Sequence, residues 1–307
     1  MNVAVWGPLL LPLVAAPAAR RLADALPPRA AAWLVAGTAV VLALCSTAAL
    51  GLLAGAGALR LPPVAALGHL VLPVVGDQVT VPAACVAAGL LTVVTVMLAR
   101  TVRRHVVLPA RARRTAEEEG TAAGDLTVLH DPGPDAYALP GRPGRIVVTA
   151  GMLRALDPAE REALLAHERA HLAGRHHLFL TAFALAGACH PALRVLRAPL
   201  SYALERWADE AAAEAVGDRR LAARAIGRAA LASQAAPRPH AALSAVAGPV
   251  PRRVAALLAA APTTTHLRSR APRVIAVLLA ASLAASAACA LQAADDFHGS
   301  IEVAQGE

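Results

Sequence analysis

Four long apolar runs set the frame of this chain: residues 2–19, 31–59, 81–99 and 274–291. Crossing the hydrocarbon core of a bilayer takes about 20 apolar residues in a helix, so each run predicts a membrane span. The first ends at Arg20 and Arg21, with its charge after the apolar stretch, the reverse of a secretory signal. Pro8, Pro12 and Pro17 weaken it as a helix. Two shorter runs, 61–75 and 178–189, are too short to span comfortably, and the pattern leaves open whether they enter the membrane. The expected organisation is a three-span membrane domain (1–100), a catalytic-size domain (101–272), a fourth transmembrane helix (273–292) and a short tail (293–307).

Within 101–272 the pattern changes character. Residues 111–125 are charged and small and read as a connector, with Glu117, Glu118 and Glu119 as a solvated face. Leu126–Leu129 and Arg145–Thr149 read as short strands bounded by Pro and Gly, a small sheet near the candidate site. Asp157-Pro158-Ala159-Glu160 is a helix start with N-cap, Pro at N1 and a capping-box Glu, and the helix should reach His176. A further helix covers 201–216, a Pro-rich loop 233–251, and a short basic helix 252–261 leads to the last span. The fold class is therefore mainly α: a polytopic membrane protein of about four transmembrane helices, with a cytosolic α-rich domain carrying a small β-sheet.

Charge placement supplies the orientation. Of the chain, 57% is hydrophobic and only 16% charged, below the roughly 25% charged of soluble domains. There is no lysine, so all 29 basic residues are arginine. They cluster beside the first connection and after the third run, while the tail is acidic. The positive-inside rule then gives N- and C-termini outside a cell membrane and 101–272 in the cytosol. A net charge of +8 suggests nucleic acid at first sight, but no patch interleaves arginines with stacking aromatics, and direct nucleic-acid binding is not expected. Cys45, Cys85, Cys189 and Cys289 have neither metal nor disulfide spacing.

The candidate chemistry lies in His167-Glu168-Arg169-Ala170-His171. On a helix, His167 and His171 share one face and can turn two imidazoles to one metal. Glu168 can take a proton from a metal-bound water. A catalytic zinc site needs a third protein ligand, and Glu205, Glu210, Glu214, His176 and His190 are the candidates, with Glu205 foremost. His176 and His177 otherwise read as a solvated or interfacial pair. His69, His105, His130 and His240 read as structural or exposed. His190, Tyr202 and Arg206 are candidate donors to the oxyanion of a tetrahedral intermediate.

Glu205-Arg206-Trp207-Ala208-Asp209 downstream of H-E-x-x-H resembles the gluzincin metalloproteases of membranes. The resemblance implies Zn2+ as cofactor, Glu205 as third ligand and Asp209 as the group that orients a ligand histidine. Asp209, at i+4 from Glu205, faces the same way. The order of parts resembles BlaR/MecR-type membrane metallopeptidases, which implies a regulatory endopeptidase cutting a cytosolic protein such as a winged-helix repressor. That family's antibiotic sensors carry S-x-x-K in an outer penicillin-binding domain, and a chain without lysine cannot hold that motif. Partners expected are the lipid bilayer, a protein substrate and a possible homodimer. Alternatives are a quality-control protease resembling the HtpX and CAAX-prenyl type, and a non-enzymatic membrane sensor with structural zinc.

Overall fold

The structure is a computed structural model that describes residues 3–67, 81–235, 250–259 and 270–305, and it is mainly helical. After a 3-10 turn at Val3–Trp6, α1 (Gly7–Ala23) and α2 (Pro28–Ala58) form a hairpin, followed by the short α3 (Pro62–Leu67). α4 (Val81–Glu119) leads into β1 (Gly120–Ala123), β2 (Leu126–Leu129), β3 (Ala136–Leu139) and β4 (Arg145–Thr149). Then come α5 (Ala150–Ala155), α6 (Pro158–Ala173) and α7 (His176–Cys189), a 3-10 turn at Pro191–Leu196, α8 (Arg197–Val216), α9 (Arg219–Ala235), α10 (Val250–Leu258) and α11 (Arg270–Gln305).

Among the described residues three helices, α2, α4 and α11, are long and apolar enough to cross a membrane. The first apolar run instead forms the 17-residue α1. At 1.5 Å per residue it measures about 25 Å, short of a ~30 Å hydrocarbon core. It packs against α2 and α11 through small residues, with Ala15, Ala16 and Ala19 buried against Ala31, Ala32 and Val35. One of its internal prolines, Pro12, is accommodated locally. Pro12 has no N–H for the carbonyl of Pro8, and the buried Ser46 hydroxyl of α2 donates to that oxygen at 2.7 Å.

Three predicted boundaries move. The connector expected at 111–125 is instead the end of α4 and the first hairpin, because the third span continues unbroken for 39 residues. That is about 58 Å of helix, so its arginine-bearing half extends well beyond a bilayer core. The last span continues likewise through the acidic residues expected as a tail, ending at Gln305. Helix α8 starts at Arg197, earlier than predicted. Of the run 61–75, Pro62–Leu67 is helical and 68–75 lies outside the described residues, as do His69, His240 and most of the loop at 233–251.

The sheet has the order β1-β2-β4-β3. β2 and β4 coincide with the predicted strands and pair in parallel, Leu126 opposite Ile146. Two strands the pattern did not give, β1 and β3, add on either side, both antiparallel. Gly124, at φ +64°, makes the tight turn between β1 and β2. Ile146, Val147 and Val148 of β4 are buried, and Val148 packs with Met152, Leu156 and Leu164 beneath α6. β3 is an edge strand, and α6 runs beside it.

Candidate active site

Helix α6 is built as its sequence predicts. The Asp157 side chain accepts from Glu160 N–H at 2.9 Å and Glu160 accepts from Asp157 N–H at 3.1 Å, a complete capping box. Glu160 is buried, and Arg228 of α9 reaches its carboxylate at 2.8 Å. The helix ends at Ala173, three residues before the predicted limit. Gly174 and Arg175 break it, Arg175 in the left-handed region at φ 49°. A side chain on Gly174 would sit 2.5 Å from His176 Nε2, so the glycine leaves room for that ring to fold back under the site.

His167 and His171, one turn apart, bring their Nε2 atoms to 3.1 Å of each other. Glu205 of α8 faces both, with Oε2 3.6 Å from His167 Nε2 and Oε1 3.6 Å from His171 Nε2. One ligand atom from each residue falls within 4.8 Å of the others, a spacing that suits a single metal ion. Asp209 Oδ1 lies 3.1 Å from His167 Nδ1 on the ring's far side. The sequence-predicted residues are thus brought together, Glu205 rather than Glu210 or Glu214 among them. Glu210 is instead held by Arg206 and Arg219.

The electrostatics are those of a tight charge cluster. Burial opposes charge on His167, but the Asp209 and Glu205 carboxylates outweigh it and raise its pKa to about 10. Burial and the charge on His167 lower His171 to about 3. Burial would raise Glu205, yet His167 and Arg253 hold it well below the usual carboxylate range. Glu168, 8% exposed, is raised to about 7, first by burial and then by the negative Glu205; His167 and a backbone hydrogen bond from Ala138 on β3 oppose the rise. A base near neutral pH beside the ligand pair is what general-base chemistry requires.

Residues 103–190 match the family model of Peptidase family M48. The M48 match spans the last part of α4, from residue 103, the sheet, and α5 through α7, and it takes in His167, Glu168 and His171. It supports a metallopeptidase, and M48 peptidases are zinc enzymes. It stops at His190, before Glu205, Asp209 and every residue of α10. No solved structure matches the chain.

Two residues at the site were read differently or not at all in the sequence. His176 is no solvated residue: it is 2% exposed, with Nδ1 2.7 Å from His171 Nδ1. Burial lowers it to about 4. Its ring lies 4.7 Å from that of Trp207, and Phe179 joins Trp207 to Trp33 of α2 by edge contacts. In a chain with 3% aromatics, this grouping wedges α7 between α2 and α8. The second residue is Arg253 of α10, which the sequence reading placed in a basic lead-in to the last span. It is buried, its Nε donating to Asp209 Oδ2 at 2.8 Å and its Nη1 2.8 Å from Glu205 Oε2.

The three candidate oxyanion donors have other partners. His190 Nε2 bonds the Leu9 carbonyl of α1 at 3.1 Å, its Nδ1 accepts from Ala192 N–H, and Arg206 binds Glu210. The Tyr202 ring lies under the guanidinium of Arg252.

Proposed function

We propose that this protein is a membrane-bound zinc endopeptidase that cuts a protein substrate at the cytosolic face. The carrying observation is the convergence of His167, His171 and Glu205 with Glu168 at their side. Two imidazoles and one carboxylate fit zinc and leave a position for water, as a catalytic rather than a structural site does. A zinc ion held there supplies Lewis acidity toward a peptide carbonyl and the attacking water. Glu168 accepts the water's proton and returns it to the leaving amine nitrogen. Asp209 holds His167 in the tautomer that turns Nε2 inward. The edge strand β3, whose Ala138 backbone already engages Glu168, offers an extended peptide a place to pair alongside the base.

The cytosolic assignment rests on arginine placement, and two contacts and one chain connection support it. The turn between α1 and α2 lies against the catalytic helices, with Asp24 3.1 Å from Arg252 and Arg29 5.3 Å above the Trp207 ring. The C-terminal half of α4, rich in arginine, ends in the sheet on the same side. The substrate proposed is a regulatory cytosolic protein of the transcriptional-repressor kind.

The test compares detergent-purified wild type with Glu168→Gln for zinc content and for proteolysis, in cells and in vitro. Zinc retained with activity lowered ~10²- to 10⁴-fold is expected. A variant that cuts the wild-type substrate at an unchanged rate would sink the mechanism. Cytosolic proteins shortened only when Glu168 is intact identify the substrate. One DNA-binding repressor among them supports the regulatory role, and a spread of misfolded membrane proteins would replace it with quality control.

A further inference from the structure

The buried face of α10 is defined by Val250, Val254 and Leu257, which pack on Ala213, Ala222, Ala223 and Ile226 of α8 and α9. Arg253 occupies the same face, one turn after Val250, where the helical period calls for another apolar residue. The helix is fixed from its other end as well, since Arg219 donates to the carbonyls of Ala256 and Leu257 at 3.1 and 2.9 Å. Removing a guanidinium from water costs several kcal/mol unless charges meet it. Here Asp209 takes two of its donors and Glu205 a third.

The consequence for Glu205 is an asymmetry between its two oxygens. Each oxygen lies 3.6 Å from a motif Nε2, Oε2 from His167 and Oε1 from His171, but it is Oε2 that Arg253 Nη1 meets, at 2.8 Å. A carboxylate free of such a partner can offer both oxygens to one cation. That would take up the position a hydrolytic site keeps for water. The same guanidinium holds both oxygens of Asp209, whose Oδ1 faces His167 Nδ1. Arg253 therefore fixes the carboxylate that contributes to the metal set and the one that orients it.

We propose that Arg253 is a positioning residue that confines Glu205 to metal binding through one oxygen, Oε1, and so keeps the fourth position open. The proposal rests on the zinc-site reading above. It assigns a role in the site to α10, which lies outside the segment matching the M48 family.

The test uses full-length protein in detergent with Arg253→Lys and Arg253→Met. The lysine keeps one charge but loses the fork that spans Asp209 and Glu205. Cobalt(II) replaces zinc as the probe, because its visible band weakens as coordination rises above four. Both variants should bind one metal ion, show a weaker band than wild type, and lose zinc to a chelator about 10- to 100-fold more readily. The metal-free methionine variant should also melt lower than metal-free wild type, having lost the guanidinium that meets two buried carboxylates. If it fails to fold, the lysine variant carries the measurement. Variants whose cobalt band and zinc retention equal those of wild type overturn the role of Arg253 alone. A wild-type protein that binds neither zinc nor cobalt overturns the metal-site reading and this inference with it.

Discussion

His176 Nδ1 lies 2.7 Å from His171 Nδ1, and this pair fixes which nitrogen of His171 is free. For both Nε2 atoms of the motif to offer lone pairs to one cation, His171 must carry its hydrogen on Nδ1. There it donates to His176 Nδ1, which leaves the His176 hydrogen on Nε2, buried with no hydrogen-bond partner. His176→Phe keeps the ring packing on Trp207 but removes the acceptor. Zinc affinity, measured by chelator competition, should fall about 10- to 100-fold with the fold intact by circular dichroism. An unchanged affinity would remove His176 from the site.

Asp209 serves His167 as His176 serves His171, but with a charge. Asp209→Asn keeps the shape and loses the carboxylate that favours a hydrogen on His167 Nδ1. The expected result is a comparable 10- to 100-fold loss of zinc affinity, with Arg253 still facing Glu205. Competition with a zinc chelator at fixed pH reads this directly.

Without metal, the positive charge opposite Glu205 and Asp209 comes from Arg253 and from protonated His167, raised to about 10. Zinc uptake at pH 7 should therefore release about one proton from His167, and a further fraction from Glu168 at about 7. Calorimetry in two buffers of different ionisation enthalpy counts it. The sign for stability follows from the raised pKa: the contribution is full below the unfolded value near 6.5 and is lost as pH rises through about 10. Metal-free protein should accordingly melt lower at pH 9 than at pH 6, and zinc-loaded protein should show little of that loss. Equal melting temperatures for the metal-free protein would contradict a protonated His167.

Much of this site was legible because its parts are local. The capping box, the i, i+4 histidines and the Glu205 and Asp209 pair are each written within one helix, where spacing determines direction. β2 and β4 were legible as well, being dense in β-branched or apolar residues. β3, Ala-Tyr-Ala-Leu, has no β-branched residue and is a strand because β4 supplies its partner. Arg253 was missed for a different reason. Its meaning depends on Asp209, 44 positions earlier, and beside Arg252 it reads as part of a short basic helix. The signal available was its register with Val250, Val254 and Leu257. The place of His176 against His171, rather than as a ligand or a solvated residue, was not legible because the fold-back at Gly174 and Arg175 is a backbone event that a helix period cannot reveal.

The cap of α6 gives a prediction that separates stability from chemistry. Asp157→Ala removes the acceptor for Glu160 N–H and should cost about 1 kcal/mol. In a folding unit of 150–250 residues that is a fall of roughly 2–4 °C in melting temperature. His167 lies ten positions further on, about 15 Å along the helix axis, and is held by α8 rather than by the first turn. Fraying at Asp157 should therefore leave zinc content and activity per folded molecule unchanged. Asp157→Asn, with an equally good cap, should melt like wild type. Thermal unfolding in detergent, with zinc assayed on the same samples, checks both arms. A loss of zinc in Asp157→Ala below its melting point would mean that the first turn of α6 positions the histidines after all.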